Sequence, residues 1–304
     1  MIELVKGTKI DFMGLRKFAF AFSAAMVLLG FLGIVQAMRG EANLGIDLAG
    51  GTSLQLKFGK AVDLDKVRAT LSAAGMGHAT LQLVAGENLL LVKVAGKGVA
   101  EKMVGDKVVT ALQAAFPENV PSVESVSEIG PAIGQKLRTD AIFAMAVSAL
   151  GIIVHLAWRF EFKFGVAAAI ATYHDVLILV GIFYLLGREM DLLFITALLT
   201  IAGYSLTDTV VVFDRIRENV KLRKAPSFSE VINVSVNEVL SRTIVTSLTV
   251  FITCVSMLVF GGVVLRDFAL ALTIGVVVGT YSSIFVASPI VALWRGEKLT
   301  EVKN

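Results

Sequence analysis

The sequence predicts an α-helical membrane protein of six spans, with one α+β domain inserted after the first span. Hydrophobic residues make up 56% of the 304 residues and charged residues only 17%, whereas a soluble domain carries about 25% charged residues. The apolar residues gather in six long runs, and most charged residues lie between them. The same composition excludes a disordered and a collagen-like chain. A disulfide scaffold is excluded as well, since Cys254 is the only cysteine. The net charge of +3 is too small to indicate nucleic-acid binding.

Each of the six runs is long enough to cross the hydrocarbon core as a helix, which takes about 20 residues. The predicted spans cover 18–38, 141–158, 164–186, 192–213, 239–260 and 268–294. The first run follows several basic residues and could be mistaken for a signal peptide. It is longer than the hydrophobic region of a signal peptide, so we interpret it as an uncleaved span.

Lysine and arginine indicate the orientation, because they are enriched in cytoplasmic loops. They cluster before the first span, in the second-to-third and fourth-to-fifth connections and after the last span, whereas the two short opposite connections carry only Arg188 and Arg266. Both termini are therefore expected in the cytoplasm. The predicted divisions are a cytoplasmic N-terminus (1–17), the first span (18–38), an outer domain (39–138), a five-helix bundle (139–294) with an amphipathic cytoplasmic connection near 214–238, and a cytoplasmic tail (295–304).

The outer domain alternates strand-like and helix-like patterns. Strands are expected over 53–58, 78–84, 88–94 and 121–129, and helices over 64–75 and 99–116. Asp63 precedes the first of these helices as a candidate N-cap, and Gly75 is a candidate stop. The order β-α-β-β-α-β predicts a ferredoxin-like arrangement.

Segment 45–52 (GIDLAGGT) begins this domain and resembles a phosphate-binding loop. Gly51 stands where such a loop needs lysine, and a strand follows where a helix is needed, so nucleotide binding is not favoured. The simpler interpretation is a tight turn leading from the membrane into the first strand, in which glycine permits a positive φ.

Asp208 and Arg242 are the first candidates for function, because an ionisable side chain inside a span costs about 2.5–3.5 kcal/mol. Asp208 lies five residues before the end of the fourth run, and Arg242 lies three residues into the fifth. Their similar depth in neighbouring helices predicts a pair, which is either a static ion pair or a titratable carboxylate controlled by arginine. Ser205 shares a helical face with Asp208, and Thr246 shares one with Arg242.

His174 and Asp175 lie near the middle of the third predicted span. Because both side chains are ionisable, these two adjacent residues cannot both face lipid. Two interpretations remain open for them, with Ser205 and Thr246 as possible members of the same system. The first is a proton relay or second carboxylate, and the second is an interhelical hydrogen-bonded pair that fixes packing.

Several segments of the chain resemble the SecF family, whose members are subunits of the bacterial Sec protein-export machinery. The matching segments are 45–52 (GIDLAGGT), 128–131 (EIGP), 173–176 (YHDV), 203–219 (GYSLTDTVVVFDRIREN), 241–243 (SRT) and 246–247 (TS). The order of one span, one outer domain and five further spans matches as well. Thr207 departs from the asparagine usual before the aspartate, and Leu48 from a common phenylalanine. In the resemblance, Gly45, Asp47, Gly50 and Gly51 are the structural signature of the first segment.

The resemblance implies a multi-pass protein of the bacterial inner membrane whose outer domain is periplasmic. It implies SecD, the SecYEG channel, possibly YajC, the exported unfolded polypeptide and membrane lipid as partners. Protons would be the coupling ion, with no cofactor or metal and no hydrolytic active site. Asp208 would bind the proton and Arg242 would be its partner, because SecD and SecF together are similar to resistance-nodulation-division transporters.

Three alternatives stay open at this stage. The same proton chemistry would suit half of an exporter of small molecules or lipids, or the chain could be a scaffold of the channel without proton transport. An intramembrane aspartyl protease with Asp175 and Asp208 as its dyad is disfavoured, because their estimated depths differ and no GxGD motif surrounds Asp208.

Overall fold

The computed structural model describes residues 7–39, 43–84, 88–95, 104–222 and 225–296. Within them, six helices are long and apolar enough to cross a membrane, as predicted. The elements in chain order are α1 (Arg16–Arg39), α2 (Ile46–Ala49), β1 (Gly51–Lys57), α3 (Leu64–Ala73), β2 (Thr80–Val84), β3 (Leu89–Ala95), α4 (Val104–Ala115), β4 (Ser122–Ile129), α5 (Pro131–Arg159), α6 (Phe162–Leu185), α7 (Leu192–Lys221), α8 (Phe228–Phe260), α9 (Gly262–Ser282), a π-helical turn (Ser283–Ala287) and α10 (Ser288–Arg295). The last three run on without a break and form the sixth span.

The connection between α7 and α8 differs from the amphipathic surface helix expected near 214–238. The helix α7 continues to Lys221, and α8 begins at Phe228, where Ser227 caps it by accepting a hydrogen bond from the backbone N–H of Glu230 (3.2 Å). Ser227 and Glu230 have the spacing of a capping box, a sequence signal that indicates this helix start correctly. The apolar residues after it, including Val231 and Val236, are nevertheless fully buried against the bundle. The amphipathic pattern arose from one long helix that packs its apolar side on its neighbours.

The membrane helices form an inner and an outer group. The helices α6, α7 and α9 bury half or more of their apolar stretches, whereas α1, α5 and α8 leave most of theirs exposed on the bundle surface. Small residues bring α1 close to α6, because a Cβ added to Gly181 would lie 2.6 Å from the backbone nitrogen of Gly30. Polar side chains therefore collect where α6, α7 and α9 meet.

The outer domain has the predicted ferredoxin-like order. Its sheet is antiparallel throughout with strand order β2-β3-β1-β4, and its core joins inward residues of β1 and β3, such as Leu54 and Val92, to Val67 of α3 and Val108 of α4. Asp63 caps α3 as expected, accepting from the N–H of Asp65 at 2.9 Å. The predicted turn at 85–87 and the start of the helix predicted over 99–116 lie outside the described residues.

Candidate functional site

Buried polar side chains converge between the inner helices of the bundle. They belong to α6, α7, α8 and the sixth span, and each is less than a tenth exposed. The set, which we call the interior polar cluster, is His174, Asp175, Ser205, Asp208, Thr209, Thr243, Ser247, Ser282 and Ser283. Among the described residues, no three of His, Cys, Asp and Glu come together as metal ligands would.

Asp175 has no exposed surface, and three side chains satisfy its carboxylate. Ser205 Oγ of α7 donates to Oδ2 at 2.5 Å, and Ser282 Oγ of α9 donates to the same oxygen at 2.7 Å. His174 Nδ1 lies 2.9 Å from Oδ1. The expected contact between His174 and Asp175 is present, and Ser205 joins it rather than Asp208.

Asp208 lies one helical turn after Ser205 and is 8% exposed. The hydroxyls of Thr243 and Ser283 lie beside its carboxylate, and Ser283 Oγ is 2.9 Å from Thr209 Oγ1. Within the described part of the chain, Asp208 Oδ2 has no hydrogen-bond partner and no lysine or arginine pairs with the carboxylate. A carboxylate held only by hydroxyls has a vacant oxygen at which a proton can bind.

The predicted pair between Asp208 and Arg242 is wrong for this structure. Thr243 is 1% exposed and turns toward Asp208, whereas Arg242 is exposed and forms no ion pair with Asp208 among the described residues. Successive helical residues point about 100° apart, so these two neighbours cannot face the same helix. The positions of the two residues in the sequence predicted their similar depth in the bundle. They contained no information on the direction in which each side chain points around α8.

Thr246 follows Arg242 on the same exposed face. Its hydroxyl bonds to the backbone oxygens of Arg242 and Thr243, both at 3.0 Å, and the face continues through Thr249 and Thr253, which are also exposed. We call these four residues the polar stripe of α8. Thr246 is thus not part of the interior polar cluster.

The sequence did not reveal the part that Ser282 and Ser283 play in the interior polar cluster. Gly275, Gly279 and Ser283 have the spacing of small residues that is typical of close helix packing. The structure agrees, since a Cβ added to Gly279 would lie 3.1 Å from Ser205 Cβ. The same approach brings the two serine hydroxyls to Asp175 and Asp208. The π-helical turn begins at Ser283, and such turns are frequent at functional sites.

The signature glycines lie where the outer domain meets the bundle. Gly50 and Gly51 have φ of 75° and 146°, as the tight-turn interpretation requires, and a Cβ added to Gly134 of α5 would lie 2.7 Å from the backbone nitrogen of Gly50. Gly45 N–H donates to Met190 O (2.9 Å) in the loop between α6 and α7. Asp47 lies in the short helix α2 and is half-buried.

A salt bridge strengthens this junction. Lys93 of β3 donates to Glu189 in the α6–α7 loop at 2.8 Å, and Glu189 is 8% exposed. Burial raises the pKa of Glu189, and the nearby Lys93 opposes that shift. Met190 N–H donates to Asn43 O at 2.8 Å, and Asp191 caps the start of α7. Nothing in the sequence pattern singled out Lys93 or Glu189, because they lie 96 positions apart. We call these contacts the outer clasp.

A second set of charges lies at the opposite end of the bundle. Arg159 donates to Asp214 at 2.6 Å, and Arg215 donates to Glu238 at 2.7 Å, so α5, α7 and α8 are tied together at one rim. Segment 214–219, the last part of the matching segment 203–219, thus belongs to this charged rim and lies apart from the interior polar cluster.

A six-helix bundle with carboxylates buried between its helices belongs to the polytopic membrane proteins that carry ionisable groups inside the membrane, the class that includes ion- and proton-coupled transporters. Two family models match the chain: the protein export membrane protein SecD/SecF, C-terminal, over residues 108–297, and the SecD/SecF GG motif over residues 42–62. The chain belongs to the SecD/SecF family.

Relatives and solved structures agree with this assignment. A protein translocase subunit SecF from Thermodesulfovibrio yellowstonii is 50% identical over 96% of this chain and 97% of its own length. The crystal structure of SecDF, a translocon-associated membrane protein from Thermus thermophilus, matches with a TM-score of 0.80 and 38% identity over 97% of this chain. SecDF in a super-membrane-facing form matches with a TM-score of 0.70 and 37% identity over 96% of this chain.

The prediction of a Sec translocase subunit is therefore confirmed, and the comparisons do not favour the small-molecule exporter. The chain spans only 40% and 39% of the two solved SecDF chains.

Proposed function

We propose that this chain is the SecF half of a proton-driven motor. With a SecD partner in the bacterial inner membrane, it uses proton flow to drive or complete export of unfolded polypeptides through SecYEG, with YajC as a possible further subunit. The observation that carries the proposal is Asp208, buried between helices with hydroxyl neighbours and an oxygen without a hydrogen-bond partner. The solved SecDF chains, of which this chain spans 40% and 39%, support a partner that is longer than this chain.

Asp208 is the proton-binding group in this proposal, and protons are the only coupling ion. A charged carboxylate inside the bilayer costs about 2.5–3.5 kcal/mol on insertion scales. Binding a proton removes that charge and gives Asp208 an O–H group that can donate to a neighbouring hydroxyl, that of Thr243 or Ser283. The packing of α7 against α8 and the π-helical turn therefore differs between the two protonation states.

Arg242 acts from the other side of α8. A lipid-facing arginine costs about 2.5–3.5 kcal/mol on the same scale, so the polar stripe of α8 is proposed to meet membrane helices of the SecD partner. Arg242, which points toward the partner in this proposal, directly precedes Thr243, which lies beside Asp208. A shift of α8 caused by protonation would thus be felt at the interface between the two halves.

The outer clasp offers a route from the membrane to the periplasmic domain. The helix α7 carries Asp208 and begins just after Met190. The backbone of Met190 forms hydrogen bonds with the backbones of Gly45 and Asn43. A tilt of α7 would therefore move the first turn of the outer domain. One proton crossing roughly 150 mV supplies about 3.5 kcal/mol, which shifts a two-state equilibrium several-hundredfold.

The proposed orientation places both termini in the cytoplasm and the outer domain in the periplasm. The charged rim around Arg215 and Glu238 lies at the end of the bundle opposite the outer domain, and lysine and arginine cluster there in the sequence. That asymmetry is the pattern expected for a cytoplasmic rim.

The test is export into inverted membrane vesicles that contain the full chain with its SecD partner and SecYEG, with and without a proton gradient. Asp208→Asn is expected to abolish the stimulation by the gradient while the complex still assembles, because an amide cannot take up the proton. Asp214→Asn is the matched control, since this aspartate lies on the same helix at the rim and pairs with Arg159. Undiminished stimulation in Asp208→Asn would leave the scaffold role as the better account.

A further inference from the structure

Asp175 is the most deeply buried carboxylate of the interior polar cluster, with 0% exposure, and it lies on a different helix from Asp208. Its three partners come from α6, α7 and α9: His174 on its own helix, Ser205 on α7 and Ser282 on α9. His174 is 6% exposed, and its Nε2 has no hydrogen-bond partner within the described residues. Hydrogen bonding alone would not require two ionisable groups here.

We propose that His174 and Asp175 form a second proton-binding site that works in series with Asp208. The proposal deepens the function proposed above and rests on it. The pair has the same net charge of zero whether the proton resides on the carboxylate or on the imidazole. Loss of that one proton leaves a net charge of −1 in the bundle. One exchangeable proton therefore decides whether this buried site is charged.

The hydroxyls around Asp175 connect it to Asp208. Ser205, which donates to Asp175, precedes Asp208 by one turn of α7. Ser282, which also donates to Asp175, is followed directly by Ser283, which lies beside Asp208. The first link runs along α7, and the second crosses from the sixth span to α7 at the point where the π-helical turn begins. The hydroxyls that hold Asp175 are thus one helical turn from Asp208 on α7 and one residue from its neighbour Ser283 on the sixth span.

Within the described residues, the surroundings of the pair provide no lysine or arginine. The helices packed against α6 place three titratable side chains toward the middle of the bundle: Tyr204 and Asp208 on α7, and Tyr281 on α9. The ring of Tyr281 stacks on that of His174, with the ring centroids 6.4 Å apart. Their lysines and arginines within the described residues lie near helix ends. The proton on the pair is therefore the main means of neutralising this site.

The experiment uses infrared difference spectra of the full chain purified with its SecD partner, recorded while the pH is changed. The C=O stretching band of a protonated carboxyl group lies at higher frequency than the bands of an amide or a carboxylate. Above the range in which exposed Asp and Glu titrate, about pH 4, Asp208→Asn should retain a titrating carboxyl band that is lost when Asp175→Asn is added. Proton flux into proteoliposomes should also fall to background in Asp175→Asn, and Asp175→Glu should restore part of it.

Ser205→Ala keeps the proposal testable if Asp175→Asn fails to assemble. Removing this donor should move the residual carboxyl band in the Asp208→Asn background to higher frequency, whereas Thr172→Val should not, because the Thr172 hydroxyl bonds only to Ala168 O in its own helix. Identical carboxyl regions in all these variants would overturn the second site. Persistence of gradient-stimulated export in Asp208→Asn alone would instead overturn the proposed function, so the two failures are distinguishable.

Discussion

The outer clasp and the interior polar cluster treat buried carboxylates in opposite ways. In the outer clasp, Glu189 pairs with Lys93 at 2.8 Å. In the interior polar cluster, Asp175 and Asp208 have hydroxyl neighbours, and among the described residues the only basic group in contact is His174. Both carboxylate sites are shielded from water, so the difference lies in the partner and not in burial.

The comparison shows where protonation can do work. A lysine partner stays charged and favours the charged form of its carboxylate, which suits a mechanical joint. Hydroxyl groups donate to a carboxylate and accept from a carboxyl group, so they tolerate both protonation states. We therefore expect the outer clasp to transmit movement and the interior polar cluster to start it.

The largest expected effect comes from breaking the outer clasp with Lys93→Ala. It leaves Glu189 buried without its cation, at a cost of about 2 kcal/mol, below the range for fully buried pairs because Lys93 is partly exposed. Amide hydrogen exchange at Gly45 and Met190 should then speed up by roughly 30-fold, since each tenfold corresponds to about 1.4 kcal/mol. Lys57→Ala is the control, because its ion pair with Glu124 is exposed; equal effects in both variants would contradict the joint.

A smaller and pH-dependent effect is expected from Glu189→Gln, which removes the carboxylate from the outer clasp and leaves Lys93 without its ion-pair partner. Burial raises the pKa of Glu189 above its ordinary value of 4.5. Its contribution to stability is therefore fully present below that value and is lost as the pH rises through the folded-state pKa. The amides of Gly45 and Met190 in the wild type should lose protection over this window.

The glutamine variant should show a flatter profile, because it carries no titrating group at that position. Base-catalysed exchange itself depends on pH, so the comparison is the ratio of variant to wild-type rates at each pH. A constant ratio from below 4.5 to neutral pH would show that Glu189 does not titrate in the outer clasp.

The smallest effect is expected from Thr207→Asn, which tests how far the interior polar cluster extends. Thr207 precedes Asp208 but is exposed, and its hydroxyl bonds back to Gly203 O at 3.0 Å. The change should alter stability by no more than about 0.5 kcal/mol and leave gradient-driven export unchanged. A strong loss of export would place residue 207 in contact with the SecD partner or with the proton path.

Most of the architecture followed from sequence patterns. Apolar runs gave the six spans, period and turn residues gave the β-α-β-β-α-β order, and Ser227 and Asp63 marked helix starts that the structure confirms. The end of α7 was missed, because a helix that continues beyond the membrane into a charged rim shows no drop in helical periodicity.

The amino-acid sequence by itself determined which residue types lie inside the membrane and at what depth, since length and hydropathy set both. It therefore identified Asp208, Asp175 and His174 as the groups to explain. Only the tertiary structure decided their partners. The direction in which a side chain points around its helix depends on how the neighbouring helices pack. That packing places Thr243 rather than Arg242 beside Asp208, and the close approach at Gly279 brings Ser282 and Ser283 to the two carboxylates.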